Sequence, residues 1–97
     1  MRFEWDPDKA ASNIRRHGVS FDEALTVFGD RLARTDPDPN HSDGEDRFTT
    51  IGLTRQGRVV IVWHADRLED DGEDVVRLIG ARRATSSERR AYEFEEQ

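Results

Sequence analysis

Val59-Val60-Ile61-Val62-Trp63 is an unbroken apolar run, and its reading decides the fold. Five consecutive apolar residues, mostly β-branched, are too few for a helix and mark a central strand buried on both faces. Just before it, Arg55-Gln56-Gly57 forms a hairpin turn. Residues 47–54 then read as the partner strand, with Phe48 on one face, Ile51 and Leu53 on the other, and room for a bulge. On the far side, residues 66–74 read as an acidic loop. Residues 75–81 make another strand, with Val76 and Leu78 facing one way and Val75, Arg77 and Ile79 the other. Further out, residues 31–35 suit a short strand. Residues 36–46 (DPDPNHSDGED) have two prolines and no apolar side chain, and read as a polar loop. Residues 2–5 alternate weakly, enough for an edge strand.

Helix signals bracket this strand-rich middle. Asp6-Pro7 starts a helix over 7–17, with Asp6 as cap and Pro7 at the first helical position. Ala10 and Ile14 lie one turn apart on it, and Gly18 stops it. Ser20-Phe21-Asp22-Glu23 is a capping box in which Glu23 should reach back to Ser20. Phe21, Ala24, Leu25 and Phe28 then follow the spacing of one buried face, and Gly29 ends the helix. Only Gly18-Val19 separates the two helices, which predicts a tight pair. Thr85-Ser86-Ser87-Glu88 is a second capping box, opening a last helix to about Phe94. The predicted order is β-α-α-β-β-β-(β)-α. That is an α+β fold, a single domain over 1–97 with helices packed on a mainly antiparallel sheet and residues 95–97 frayed.

The chain has 97 residues and a net charge of −6. There are no cysteines, which excludes disulfides, thiolate metal sites and cysteine nucleophiles. No apolar stretch approaches the length of a membrane span and no leader opens the chain, so the expected setting is the cytoplasm, away from membranes. The acidity is local. Residues 35–74 carry a net −7, while residues 77–90 hold Arg77, Arg82, Arg83, Arg89 and Arg90 against Glu88 alone. The overall balance argues against indiscriminate nucleic-acid binding, but it leaves room for a basic pocket.

Arg82 and Arg83, just past the end of a strand that also carries Arg77, are the first candidates for chemistry. Guanidinium forks match phosphate oxygens and stay charged at any relevant pH. Successive residues on a strand point to opposite sides, so one of the pair should face a binding cleft and the other solvent or a partner. Lys9 sits near the positive end of the first helix and His17 near its negative end, roughly 12 Å apart along the axis. His64 should lie on the face of Val60 and Val62, opposite Trp63. Glu88 and Tyr92 share one face of the last helix. A phenol can stack on a base, although packing against the sheet is its commoner fate. His41 with Asp36, Asp38, Asp43 and Asp46 is no metal loop: Pro37 and Pro39 interrupt it, and the glycine and distal glutamate of an EF-hand are absent. No metal or cofactor is expected.

Three blocks of sequence together resemble one family. They are Phe3-Glu4-Trp5-Asp6-Pro7-Asp8-Lys9 with Asn13 and Arg16-His17-Gly18-Val19-Ser20-Phe21, then Arg47-Phe48 with Ile51-Gly52 and the strand ending in His64, then Ile79-Gly80-Ala81-Arg82-Arg83-Ala84-Thr85 with Glu88, Arg89 and Tyr92. In order and spacing, over about residues 2–94, they look like the BrnT toxins. Two features depart from the pattern: Arg16 stands where the family often has lysine, and the segment 66–74 is longer and more acidic than the family's usual turn.

The resemblance implies a bacterial type II toxin, a ribonuclease of RelE-like fold neutralised by a cognate BrnA-type antitoxin. Operator DNA would be reached only through that antitoxin. It also implies metal-free cleavage of RNA, in which the 2′-hydroxyl attacks the adjacent phosphorus and leaves a 2′,3′-cyclic phosphate. In that scheme Arg82, Arg83, His17 and Lys9 are the catalytic candidates, and Arg77, His64, Glu88 and Tyr92 the RNA-binding ones. The alternative is a non-catalytic module that acts as a corepressor within an antitoxin–DNA complex, which the acidity of the chain suits.

Overall fold

The apolar run at 59–63 lies in the central strand of a five-stranded sheet. The computed structural model describes residues 1–39 and 46–94. Its strands are β1 (Arg2–Glu4), β2 (Arg34–Pro37), β3 (Arg47–Leu53), β4 (Val59–Leu68) and β5 (Asp74–Arg83), and they lie side by side as β1-β5-β4-β3-β2. The sheet is mixed. β2 to β5 pair antiparallel, and the edge strand β1 pairs parallel to β5. The helices are α1 (Pro7–His17), α2 (Phe21–Ala24) and α3 (Ser86–Phe94). His41 and Asp43 of the polar loop, and residues 95–97, lie outside the described residues.

Local signals fix the helix ends. The Asp6 carboxylate accepts from the Asp8 N–H at 2.8 Å. At the other end Gly18, with φ of 69°, donates its N–H to the Ile14 carbonyl, a backbone conformation that suits glycine. The Ser20 hydroxyl accepts from the Glu23 N–H. The predicted helix over 21–28 is α-helical only to Ala24 and then tightens into a 3₁₀ turn, Leu25–Gly29. Thr26 Oγ1 donates to the Glu23 carbonyl at 2.6 Å, a local bond that competes with the regular helical ladder. The tighter turn sets Val27 down on Gly52. A Cβ there would meet the Val27 Cβ at 3.0 Å and the Ala33 Cβ at 3.2 Å.

Three expectations from sequence are corrected. The loop expected over 66–74 is confined to 69–73: β4 runs to Leu68 and β5 starts at Asp74, with the register Arg67↔Val75 and Leu68↔Asp74 closing a long hairpin arm. β5 also runs on through Arg82 and Arg83, so both arginines are in the strand and not past it. The third concerns the bulge. β3 pairs with β4 without a break, which even alternation of Phe48 against Ile51 and Leu53 permits. The irregularity is between β4 and β5. Trp63 pairs with Gly80 and His64 with Leu78, which leaves Ile79 with no partner on β4.

Alternation about this register divides the sheet. Val60, Val62, Val76, Leu78 and Ala81 form the core with Val19, Phe21, Ala24 and Val27 of the helical layer, and Phe3, Trp5, Ala10 and Phe28 pack at its margin. This is the first face. The second face carries Ile61, Trp63, Arg77 and Arg82, and α3 lies across part of it, with Glu88 and Ala91 over Ile51 and Ile61. The stripe of Ala10 and Ile14 is corrected as well: Ile14 is 51% exposed and Asn13 is the buried residue of α1. Among the described residues no helix is long and apolar enough to cross a membrane.

Candidate functional site

The second face holds a firmly fixed cation. Arg82 gives both ends of its guanidinium to Glu88, Nη1 to Oε1 at 2.9 Å and Nη2 to Oε2 at 3.0 Å. The same guanidinium lies over the Trp63 ring, 5.3 Å from its centroid. Glu88 in turn completes the capping box of α3: its carboxylate accepts from the Thr85 N–H at 2.8 Å, and its own N–H donates to the Thr85 hydroxyl. Arg82 first, then the Thr85 amide, hold the Glu88 carboxyl down to about 2. One carboxylate thus fixes a helix start and a guanidinium together. Arg77 lies on the same face of β5, and Arg83 points to the opposite face and is exposed.

Lys9 and His17 come together in one groove. With Ser12, Asn13, Arg16 and Ile79 they line a depression of about 210 Å³ beside β5. Three of its six lining side chains are basic or imidazole, and none is acidic. Its floor residue is Ile79, the bulged residue of β5, which lies in the chain between Arg77 and Arg82.

Asn13 holds α1 against that strand. β1 covers β5 only at residues 75–77, so the edge beyond is open to a side chain. Asn13 Nδ2 donates to the carbonyls of Ala81 (2.8 Å) and Val19 (2.9 Å), and its Oδ1 accepts from the Ala81 N–H at 3.1 Å. A side-chain amide therefore does what a neighbouring strand would do.

Two candidates occupy packed positions. His64 is 1% exposed, stacked on Phe48 and edge-to-face with Phe28. Its Nε2 bonds the Thr50 hydroxyl at 2.8 Å and its Nδ1 bonds Asp66 at 2.7 Å. Tyr92 is buried, and its hydroxyl donates to Asp30. Asp30 also accepts from the Leu53 and Leu32 amides. Burial first, then Asp30, push the Tyr92 phenol up to about 12. Burial penalises the Asp30 charge, yet the Tyr92 hydroxyl and those two amides leave its pKa lowered. Neither ring presents a face to a ligand.

Glu23 does not reach back to Ser20. It is 4% exposed and binds Arg58 through both carboxylate oxygens and the Thr54 hydroxyl at 2.9 Å. The Arg58 hydrogen bond is the main reason its pKa is lowered against burial. This pair ties α2 to the β3–β4 turn, and Arg58 Nη2 also donates to the Gly18 carbonyl at the end of α1. Among the described residues no three histidine or carboxylate side chains are grouped as metal ligands.

A family model described as "Ribonuclease toxin, BrnT, of type II toxin-antitoxin system" matches residues 5–88. The chain belongs to the BrnT family. Among curated proteins, no relative matches it. The BrnT match runs from Trp5 to Glu88 and so takes in Lys9, Asn13, His17, Trp63, Arg77, Arg82 and Arg83, and stops short of Tyr92. Membership of this BrnT family brings two conclusions: the activity class is ribonuclease, and the partner is an antitoxin. Trp63 and Asn13 had no assigned role in the sequence. The signal for Asn13 was a lone amide at the buried position of an amphipathic helix. The signal for Trp63 was alternation, which puts it on the face opposite His64.

Proposed function

We propose that this BrnT-family chain is a metal-independent endoribonuclease of RelE-like fold whose active site lies along the edge of β5. What supports this is the arrangement around Ile79. The groove of Lys9, Arg16 and His17 has this residue as its floor, and Arg77 and Arg82 flank it in the strand. RNA lying along that edge meets cations on both sides.

The chemistry is a transesterification. The 2′-oxygen bonds to the adjacent phosphorus, the P–O5′ bond breaks, and a 2′,3′-cyclic phosphate and a 5′-hydroxyl remain. His17, exposed and in the groove, takes the 2′-hydroxyl proton, and the departing O5′ gains one from solvent. The packed position of His64 favours His17 for this role. Lys9 and Arg16 hold flanking phosphate, and Arg82 neutralises charge that develops on the phosphoryl oxygens. Glu88 and Trp63 keep Arg82 in place before substrate arrives, which saves reorganisation at the moment of reaction. Arg83 supplies a further phosphate contact from the other face.

The acidic hairpin arm, with Asp66, Glu69, Asp70, Asp71, Glu73 and Asp74, suits a basic segment of a BrnA-type antitoxin, through which operator DNA would be bound. Digestion of RNA in EDTA with analysis of the product ends tests the enzymatic reading. Cyclic phosphate and 5′-hydroxyl ends are expected, with loss of cleavage in His17→Ala. Dependence on Mg²⁺ with 5′-phosphate ends overturns the mechanism. No cleavage at all, alongside tight antitoxin and operator binding, favours a non-catalytic corepressor.

A further inference from the structure

We propose that Trp63 is a stacking platform for one nucleobase of single-stranded RNA, with Arg47, Arg77 and Arg82 holding the phosphates around it. The inference rests on the ribonuclease reading and adds the subsite that reads a base.

The register sets the geometry. On the second face, the residues directly across from Trp63 are Thr49 on β3 and Gly80 on β5. One is small and the other has no side chain. The next row along the sheet is Arg47, Ala65 and Arg77, and the row on the other side is Arg34, Ile51, Ile61 and Arg82. Trp63 is therefore the one large ring in a row of small residues, with arginines in the rows on either side, at diagonal positions that long side chains can span.

The β-bulge creates this opening. In an unbroken ladder, with His64 on Leu78, Trp63 would face Ile79. The extra residue moves Ile79 out of the ladder into the α1 groove and brings Gly80 opposite the indole. A bulky β-branched neighbour is replaced by none, so the ring keeps room beside it and remains partly exposed. The Arg82 guanidinium lies over the ring, 5.3 Å from its centroid, and its own planar group can take a base as well.

A π surface in a basic frame is what single-stranded nucleic acid needs: any base can stack, and backbone charge is met on either side. Three carboxylates near the platform are engaged or lateral. Glu88 holds Arg82, Glu4 pairs with Arg67 and lies across from Arg77, and Asp36 lies across from Thr49. The role that a sequence reading gives to Tyr92 thus falls to Trp63, since Tyr92 is buried against Asp30.

The test uses the full chain and a short 2′-O-methyl RNA, which cannot undergo 2′-hydroxyl attack. Tryptophan emission is followed as the oligomer is added. The other indole, Trp5, packs edge-on against Phe21, so Trp5→Phe isolates the Trp63 signal. Quenching should persist in Trp5→Phe and vanish in Trp63→Phe. Affinity should fall roughly ten-fold or more in Trp63→Ala and recover largely in Trp63→Phe. An abasic oligomer of equal length should bind as weakly to the parent chain as the normal oligomer binds to Trp63→Ala. Unchanged affinity in a folded Trp63→Ala, or equal binding of the abasic oligomer, overturns the platform and leaves the ribonuclease reading standing. Loss of antitoxin binding in Trp63→Ala with RNA binding unchanged assigns the face to the protein partner and overturns it too. Absence of cleavage by the parent chain is the separate failure of the ribonuclease reading.

Discussion

Asn13 meets Ala81 as a paired strand residue would, donating to its carbonyl at 2.8 Å and accepting from its N–H at 3.1 Å. The side chain also takes the Val19 carbonyl, so one buried amide joins α1, the inter-helix link and the β5 edge. Asn13→Ala would orphan three backbone groups. Buried groups left unsatisfied cost about 1–3 kcal/mol each, and water at the sheet edge recovers part of it. A loss of about 2 kcal/mol or more is expected, read as a fall in Tm of roughly 4–8 °C for each kcal/mol. Asn13→Asp should be worse, because a carboxylate would face two carbonyls. Melting of Asn13→Ala close to the parent temperature would show that the edge does not depend on this amide.

Stability should fall off at both ends of the pH range, for separable reasons. Glu88 has its folded pKa lowered from 4.5 to about 2 by Arg82 and Thr85. Its contribution is full above about pH 4.5 and is lost as pH falls toward 2; Glu23, lowered by Arg58, acts in the same sense. Tyr92 is raised from 10.0 to about 12, chiefly by burial. Its contribution is full below pH 10 and is lost as pH rises through 12. Urea midpoints measured across pH should show a flatter acid limb in Glu88→Gln and a flatter alkaline limb in Tyr92→Phe. Unchanged slopes in either variant would remove that group from the account.

The helix ends and the central strand were legible because their causes are local. Asp6, Gly18, Ser20 and the Thr85–Glu88 box each act within four residues of their own position, and the run at 59–63 needs no partner to be read as buried. What escaped is set by register, which no local pattern carries. The arm over 66–74 reads as a loop because its charges hide the pairing of Arg67 with Val75. The bulge at Ile79 cannot be seen until His64 is paired with Leu78. Glu23 has the spacing of a capping residue, yet a buried carboxylate with Arg58 across the β3–β4 turn gains more by pairing with it. The candidate site shares this division. Lys9 and His17 share a groove with Arg16, and Arg77 and Arg82 share a face. His64 and Tyr92 are drawn into packed positions by Thr50, Asp66 and Asp30.

Gly52 is the point where the 3₁₀ turn comes closest to the sheet. Gly52→Ala would put a methyl at 3.0 Å from the Val27 Cβ and 3.3 Å from its carbonyl oxygen. Val27 meets the methyl with both its side chain and its backbone, and the Ala33 Cβ is 3.2 Å away, so the turn must lift. Overpacking of this kind costs roughly 1–3 kcal/mol. Because Asp30 follows the turn and accepts from Leu53 and Tyr92, lifting it should also loosen α3. Hydrogen exchange should therefore speed up at the Leu53 amide and in α3 together. Faster exchange at Leu53 with α3 unaffected would show that the two are not coupled.

Arg82 and Arg83 are adjacent in the strand and face opposite ways, and the difference predicts which one cleavage needs. Arg82 is half-buried, bonded at both ends to Glu88 and placed over Trp63. Arg83 is exposed on the other face. A guanidinium already held in position loses little freedom when phosphate arrives, whereas an unfixed one must be ordered by its substrate. Arg82→Ala should lower RNA cleavage by ~10²–10³, and Arg83→Ala by less than about ten-fold. Arg82→Lys keeps the charge but loses the planar fork, and should fall between them. Circular dichroism should show both alanine variants folded, since Thr85 still caps α3 and no cavity opens in the core. Glu88→Gln separates position from charge: Arg82 remains but is held less firmly, so kcat should fall more than KM rises. If Arg83→Ala abolishes cleavage while Arg82→Ala does not, the charge on the phosphoryl oxygens is met by Arg83 from the first face, and Arg82 on the second face serves only to bind.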